Sequence, residues 1–226
     1  MNRKKLTQAI EDYLKIIYDL TSIHERATTT QIAEALDVKP ASVTGMMRKL
    51  AVTDPPLVEY RKHQGVVLTP AGERVALEII RHHRLLELFL HDTLGYPWDE
   101  VHDEAERLEH VISEEFEERI AQVLGNPQYD PHGDPIPNRD LKMPSYAMVC
   151  LDELRPGQRA TIKRVRDTDP ALLRYLGENG VVLQARFMVI KHSSFDDNLK
   201  IQIDGRDEPV VIGPSITSQV FVEADL

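Results

Sequence analysis

T-T-T-Q-I-A-E-A-L-D-V-K-P-A-S-V-T-G-M-M-R-K-L, from Thr28 to Leu50, spells a helix, a turn and a second helix in local signals. Thr28 to Thr30 offer hydroxyl caps for a short helix over Gln31 to Leu36, and Asp37 and Val38 form the turn. Pro40 then suits the first position of a further helix through Val43, Met46, Met47 and Leu50, because its fixed φ is already helical. Upstream, Ile10, Leu14, Ile17 and Tyr18 recur at helical spacing and predict an amphipathic helix over Thr7 to Leu20. Downstream, L-V-E-Y-R-K-H-Q-G-V-V-L-T after Pro55 and Pro56 reads as two short strands around a basic turn at Lys62 to Gly65, and Thr69 caps a long helix that begins at Pro70. Helix, helix, turn, helix and two-stranded wing is the order of a winged helix-turn-helix.

A recognition helix must present small and short polar side chains near its N-terminus in order to enter a major groove. Lys39, Ala41, Ser42 and Thr44 meet that demand, Arg48 and Lys49 lie where phosphates would run, and Arg61 and Lys62 sit at the wing turn. The alternative is a plain helical hairpin with its hydroxyls in water; the wing favours double-stranded DNA. The formal net charge of −10 opposes nucleic-acid binding only on average, since the acidic residues crowd into Asp99 to Glu118 and the basic ones into the N-terminal segment.

With 42% hydrophobic residues in 226, the chain can bury a sizeable core, divided over two or three small domains. No apolar run is long enough to span a bilayer, and Met1 opens onto polar, basic residues, so the expected location is cytoplasmic. The single Cys150 excludes an internal disulfide and a thiolate cluster.

The stretch V-H-D-E-A-E-R-L-E-H, Val101 to His110, carries the other chemistry. On one helix at 100° per residue, His102, Glu106, Glu109 and His110 would share an arc of about 100°. Carboxylates and imidazoles so placed suit Mn(II), Fe(II) or Zn(II) without thiolate, the alternative being a solvated acidic face. The segment Glu73 to Val123 reads as helical throughout, interrupted near Gly95, Tyr96 and Pro97. Its Leu77, Ile80, Leu85, Leu88 and Phe89 offer more apolar surface than a short hairpin covers, which a homodimer or a monomeric core would use. Gly125 to Ser145, rich in proline, reads as an extended linker. Short β-branched runs follow, A-T-I-K-R-V, V-V-L-Q-A-R-F-M-V-I, L-K-I-Q-I-D, E-P-V-V-I and Q-V-F-V-E-A, and predict a small all-β barrel of roughly 75 residues. The expected architecture is α+β and multidomain: a winged helix over 1–72, an all-α dimerisation and metal-binding domain over 73–126, a linker over 127–146 and an SH3-like β-barrel over 147–226.

I-E-D-Y-L-K-I-I-Y near the start, A-S-V-T in the recognition helix, H-H-R-L-L-E-L-F-L, V-H-D-E-A-E-R-L-E-H and G-D-P-I-P resemble the diphtheria toxin repressor family, and most closely its manganese-responsive branch. The resemblance covers essentially the whole chain. It implies a repressor of metal-uptake genes that acts as a homodimer on a palindromic operator and senses Mn(II) or Fe(II), with Zn, Co, Ni or Cd as substitutes in vitro. It places a regulatory metal site at Asp12, Glu106, Glu109 and His110, with carboxylates where the iron branch carries methionine and cysteine, a hard-donor set that favours Mn(II). Lys15 stands where manganese sensors often have a further glutamate, and an ammonium cannot ligate. A second site would use His83, Glu87 and His102, with Asp169 as a barrel ligand or an ordinary turn residue and Leu172 offering no donor. An anion held beside that site in some relatives would meet Asp130 and Asp134 here, although Arg84 is present. A winged-helix regulator answering to an organic ligand and a Mn- or Fe-dependent enzyme are the alternatives.

Overall fold

The computed structural model describes residues 6–144, 148–166 and 169–225 of the 226. The chain divides into two compact units, one of Met1–His83 with Glu109–Ile112 and Pro137–Lys142, the other of Arg84–Leu108, Ser113–Ile136 and Met143–Leu226.

The first unit is the winged helix. Helix α1 (Gln8–Thr21) turns Ile10, Leu14 and Ile17 inward, as their spacing requires. Helix α2 (Thr29–Ala35) begins with a reciprocal cap, in which Thr28 Oγ1 accepts from the Gln31 amide at 3.2 Å and Gln31 Oε1 accepts from the Thr28 amide at 2.9 Å. Asp37, at φ 50°, reverses the chain, an αL position that aspartate tolerates better than most residues, and α3 (Pro40–Leu50) opens on its proline. Strands β1 (Val58–Arg61) and β2 (Gly65–Leu68) pair antiparallel, with Arg61 opposite Gly65. Leu14, Ile17, Ile32, Val43, Met47, Leu50, Leu57 and Val66 are all fully buried together. Helix α4 (Pro70–Asp92) follows the hydroxyl of Thr69, which accepts from the Gly72 amide at 3.2 Å.

The second unit holds α5 (Val101–Leu108), α6 (Glu114–Val123) and a six-stranded antiparallel sheet. Its strands are β3 (Val149–Cys150), β4 (Arg159–Val165), β5 (Arg186–His192), β6 (Leu199–Ile203), β7 (Val210–Ile212) and β8 (Val220–Ala224), in the order β3-β8-β4-β5-β6-β7. Alternation along β4, β6 and β8 sends Ile162, Ile201, Val220 and Val222 to the core. Two helices, α7 (Pro170–Glu178) and α8 (Pro214–Thr217), interrupt what the sequence presents as purely β. Helix α7 supplies Leu173 and Leu176 to the same core, so its apolar residues serve a helical face inside a β-rich unit. Only the second half of V-V-L-Q-A-R-F-M-V-I is strand: Val181 is buried from a turn, and Gln184 takes φ 64°.

The proline-rich segment is not a spacer over its described length, because Asp130, His132 and Ile136 are buried. Residues 145–147, where the sequence reading ends the linker and starts the barrel, lie outside the described residues. Of the apolar residues assigned to a dimer face or a core, Leu77, Ile80 and Leu85 are buried within the chain, while Leu88 and Phe89 are half-buried. Among the described residues no helix is long and apolar enough to cross a membrane.

Candidate metal centres and nucleic-acid face

Helix α3 points Val43, Met47 and Leu50 inward and leaves Lys39, Ala41, Ser42, Arg48 and Lys49 exposed. That is the division a groove-entering helix requires, small and polar at the start and basic toward the end. Thr44 is half-buried and its hydroxyl donates to the Pro40 carbonyl at 3.1 Å, so among the α3 hydroxyls Ser42 is the more available to a ligand. Arg61 and Lys62 are exposed at the wing turn, and the Arg26 Nη2 group donates to the carbonyls of Glu59 and Gly65 at 3.3 and 3.4 Å, fixing the wing's base.

The spacing predicts His102, Glu106, Glu109 and His110 on one helical face, and the structure corrects this. Helix α5 ends at Leu108, Glu109 and His110 sit in the following turn, and Ser113 already caps α6. The turn delivers both residues to α1. Ligand atoms of Asp12, Glu109 and His110 all lie within 4.8 Å of one another. His110 Nδ1 lies 2.7 Å from Glu11 Oε2, and since a carboxylate only accepts, that nitrogen carries a proton. His110 Nε2 then faces Asp12 Oδ1 at 2.8 Å and Glu109 Oε1 at 3.3 Å, yet makes no well-aligned hydrogen bond although it is buried. An imidazole held through Nδ1 by one carboxylate, with its buried Nε2 aimed at two others, has the form of a metal-ligating histidine with its orienting partner.

The Glu109 carboxylate is fully buried and receives Lys15 Nζ at 3.0 and 2.9 Å and His83 Nδ1 at 2.5 Å. Burial alone would raise its pKa; the His83 hydrogen bond and charge, with Lys15, more than reverse this and hold it below the usual carboxylate range. For His110, burial opposes the charged ring, but the close Asp12 carboxylate, the hydrogen bond to Glu11 and the charge of Glu109 outweigh it and push the pKa up to about 9.

In the second unit, ligand atoms of Glu87, Asp130 and His132 lie within 4.8 Å of one another and all three residues are buried. His132 Nε2 donates to the Trp98 carbonyl at 2.7 Å, leaving Nδ1 toward Glu87 Oε2 at 3.9 Å. His102 Nδ1 meets Glu87 Oε1 at 3.2 Å, and its Nε2 lies 4.0 Å from Glu106 Oε1. Burial, then the charges of Asp134 and Glu87, push the Asp130 carboxyl well above its usual range. A carboxylate so disfavoured as an anion is stabilised by any cation that joins it.

Beside this cluster the Arg84 guanidinium lies 3.8 Å from Asp130 and 3.7 Å from Asp134, so the chain's own carboxylates line the position where the resemblance places an anion.

Glu87 and His102 thus come together as expected, while Asp130 and His132 were missed as donors. Their signal is D-x-H at the start of D-P-H-G-D, hidden by the surrounding prolines that mark a linker. Asp169 takes the other of its two expected roles: exposed, it caps α7, accepting from the Ala171 amide at 2.8 Å, and it belongs to no donor cluster among the described residues.

Family models match the chain in three successive parts: the iron dependent repressor N-terminal DNA binding domain over residues 5–66, the iron dependent repressor metal binding and dimerisation domain over 69–138, and the FeoA domain over 149–224. The chain is 34% identical to the iron-dependent repressor IdeR of Mycobacterium leprae, across 96% of its own length and 98% of that protein. It belongs to the diphtheria toxin repressor family. The diphtheria toxin repressor of Corynebacterium glutamicum is 35% identical over 92% of the chain and 89% of that repressor. Among solved structures, a manganese-dependent transcriptional repressor in complex with manganese superimposes with a TM-score of 0.87 at 40% identity, covering 94% of this chain and 98% of that one. The manganese regulator SloR does so with a TM-score of 0.78 at 32% identity, covering 97% and 100%. This member of the diphtheria toxin repressor family therefore carries the winged helix, the helical segment and the SH3-like FeoA domain in the family order.

Proposed function

We propose that the protein is a homodimeric transcriptional repressor that binds a palindromic operator when a divalent cation, Mn(II) in preference to Fe(II), occupies the Asp12, Glu109 and His110 cluster. The observation that carries the reading is the convergence of α1 of the winged helix and the Glu109–His110 turn on one partly buried set of oxygen and nitrogen donors. A bound cation would take the place of the proton on His110 and share the Asp12 and Glu109 carboxylates. Asp12 is fixed on the DNA-binding helices, and Glu109 and His110 on the turn after α5, so shared ligation holds α1 to that turn. Glu11 keeps the His110 ring oriented through Nδ1. The donors are hard: the lone Cys150 joins no donor cluster among the described residues, and burial, foremost, lifts its thiol to about 11, far from thiolate. Oxygen donors without sulfur favour Mn(II). Glu87, Asp130 and His132, with His102, form a second site of the same hard character. The expected cellular location is the cytoplasm, and the expected targets are metal-uptake genes.

Operator-binding assays with and without chelator, preceded by metal analysis of gently purified protein, test this directly. Operator affinity that ignores both EDTA and added manganese or iron would overturn it. On the DNA side, Lys49→Ala is expected to weaken binding to all sequences and to lower the slope of log affinity against log salt by about 0.9, one phosphate contact. Ser42→Ala is expected to change base preference instead, which a selection from random duplexes would read.

The pH dependence has a definite sign. His110 holds its proton up to about pH 9 in the metal-free protein, and a ligating nitrogen must release it. Manganese affinity at this cluster is therefore expected to fall about tenfold per unit as pH drops from about 9 toward 7. Manganese titrations at pH 7, 8 and 9 check this, and a flat profile would contradict the protonated His110.

A further inference from the structure

The Asp12 cluster contains a cation that belongs to the chain. Lys15 follows Asp12 by three residues on α1 and so shares its face. Its Nζ contacts both oxygens of Glu109, at 3.0 and 2.9 Å, and lies 3.3 Å from His83 Nδ1. The Lys15 side chain is 12% exposed and that of Glu109 is 0%. A carboxylate has about four lone-pair directions. Lys15 and His83 engage Glu109 on both oxygens, and Oε1 also lies 3.3 Å from His110 Nε2. A metal ion bound between Asp12, Glu109 and His110 would leave no direction of Glu109 for another cation unless the ammonium withdrew.

We propose that Lys15 is the resident second cation of this cluster. Its tethered ammonium compensates Glu109 in the metal-free protein, restricts the cluster to a single divalent ion, and weakens that ion's binding by competing for the same carboxylate. Lys15 thereby sets the metal concentration at which the repressor loads. Unlike an ion, it cannot diffuse away, so the compensation holds at every metal concentration. The inference rests on the metal reading of the cluster given above.

The test uses the full chain, stripped with chelator and titrated with Mn(II), with free and bound ion followed by electron paramagnetic resonance. Asp12→Ala identifies the signal of this cluster: wild type should bind one more ion per protomer than the variant. Lys15→Met, which removes the ammonium but adds no oxygen donor for a second ion, should keep that number and bind the ion at least tenfold more tightly. Lys15→Glu should hold one ion more than wild type, with a spectrum broadened by coupling between neighbouring Mn(II) ions, and Lys15→Arg should behave as wild type. Circular dichroism and thermal melts confirm that each variant is folded, and Lys15→Met should show a larger manganese-induced rise in melting temperature than wild type. An unchanged ion count in Lys15→Glu, or unchanged or weaker affinity in Lys15→Met, would overturn the role of Lys15 while leaving the metal site standing. Equal ion counts in wild type and Asp12→Ala would instead remove the metal site, and the proposal with it.

Discussion

Asp12→Ala should leave a folded protein whose operator affinity no longer rises with manganese. The Asp12 carboxylate lies 2.8 Å from His110 Nε2, and its side chain is 30% exposed, so truncation removes a ligand without opening a cavity in the core. If ordered and disordered arrangements of the winged helix differ a hundredfold in metal affinity, the switch is worth about 2.7 kcal/mol, and losing it costs that factor in operator binding. Fluorescence anisotropy on a labelled operator, with manganese and with chelator, measures the loss directly, and circular dichroism shows that the fold persists. Full metal stimulation in the variant would refute the cluster's role. Asp12→Asn provides a finer control, since it keeps the shape and one oxygen but removes the charge that a divalent ion needs.

Gly133→Ala carries the largest expected effect on stability. Gly133 has φ +85°, and a Cβ placed on it would stand 2.0 Å from the Lys163 carbonyl oxygen and 2.8 Å from Arg164 Cα. Strand β4 would have to move away, and the αL backbone would be strained even then, so we expect a loss of about 3–5 kcal/mol in urea denaturation. The turn it closes also positions two ligand candidates, because Asp130 Oδ1 accepts from the amides of His132 and Asp134 at 2.8 and 2.9 Å. Metal analysis should accordingly show the Glu87, Asp130 and His132 site emptied while the Asp12 cluster remains filled. A variant with unchanged midpoint and metal count would show that the turn yields easily, contrary to the close approach.

Much of the fold could be read from neighbouring residues alone. The Thr28 hydroxyl cap, the Asp37 turn, Pro40 at a helix start and the paired strands of the wing are short-range devices whose partners lie within a few residues, so order along the chain was enough to find them. The alternating strands β4, β6 and β8 were legible for the same reason. Helix α7 was not, because P-A-L-L-R-Y-L-G-E is too short for its period to stand out among β-branched runs, and its burial beside the sheet is what gives Leu173 and Leu176 their meaning.

The candidate sites divide along the same line. Residue types and spacing marked His102, Glu106, Glu109 and His110, whereas Asp12, His83 and Glu87 were marked only by the family resemblance. The sequence could not show that the helix stops at Leu108, which sends Glu109 and His110 to α1 and leaves Glu106 beside His102. Nor could it show that Asp130 and His132 leave a proline-rich segment to join Glu87. Lys15 and Glu109 are 94 positions apart, and only chain packing turns a substitution that seems merely to remove a ligand into an ion pair at the centre of the cluster. Local propensity is a property of consecutive residues and survives in the sequence, whereas charge compensation in a buried cluster depends on which distant groups the core brings within about 3 Å of one another.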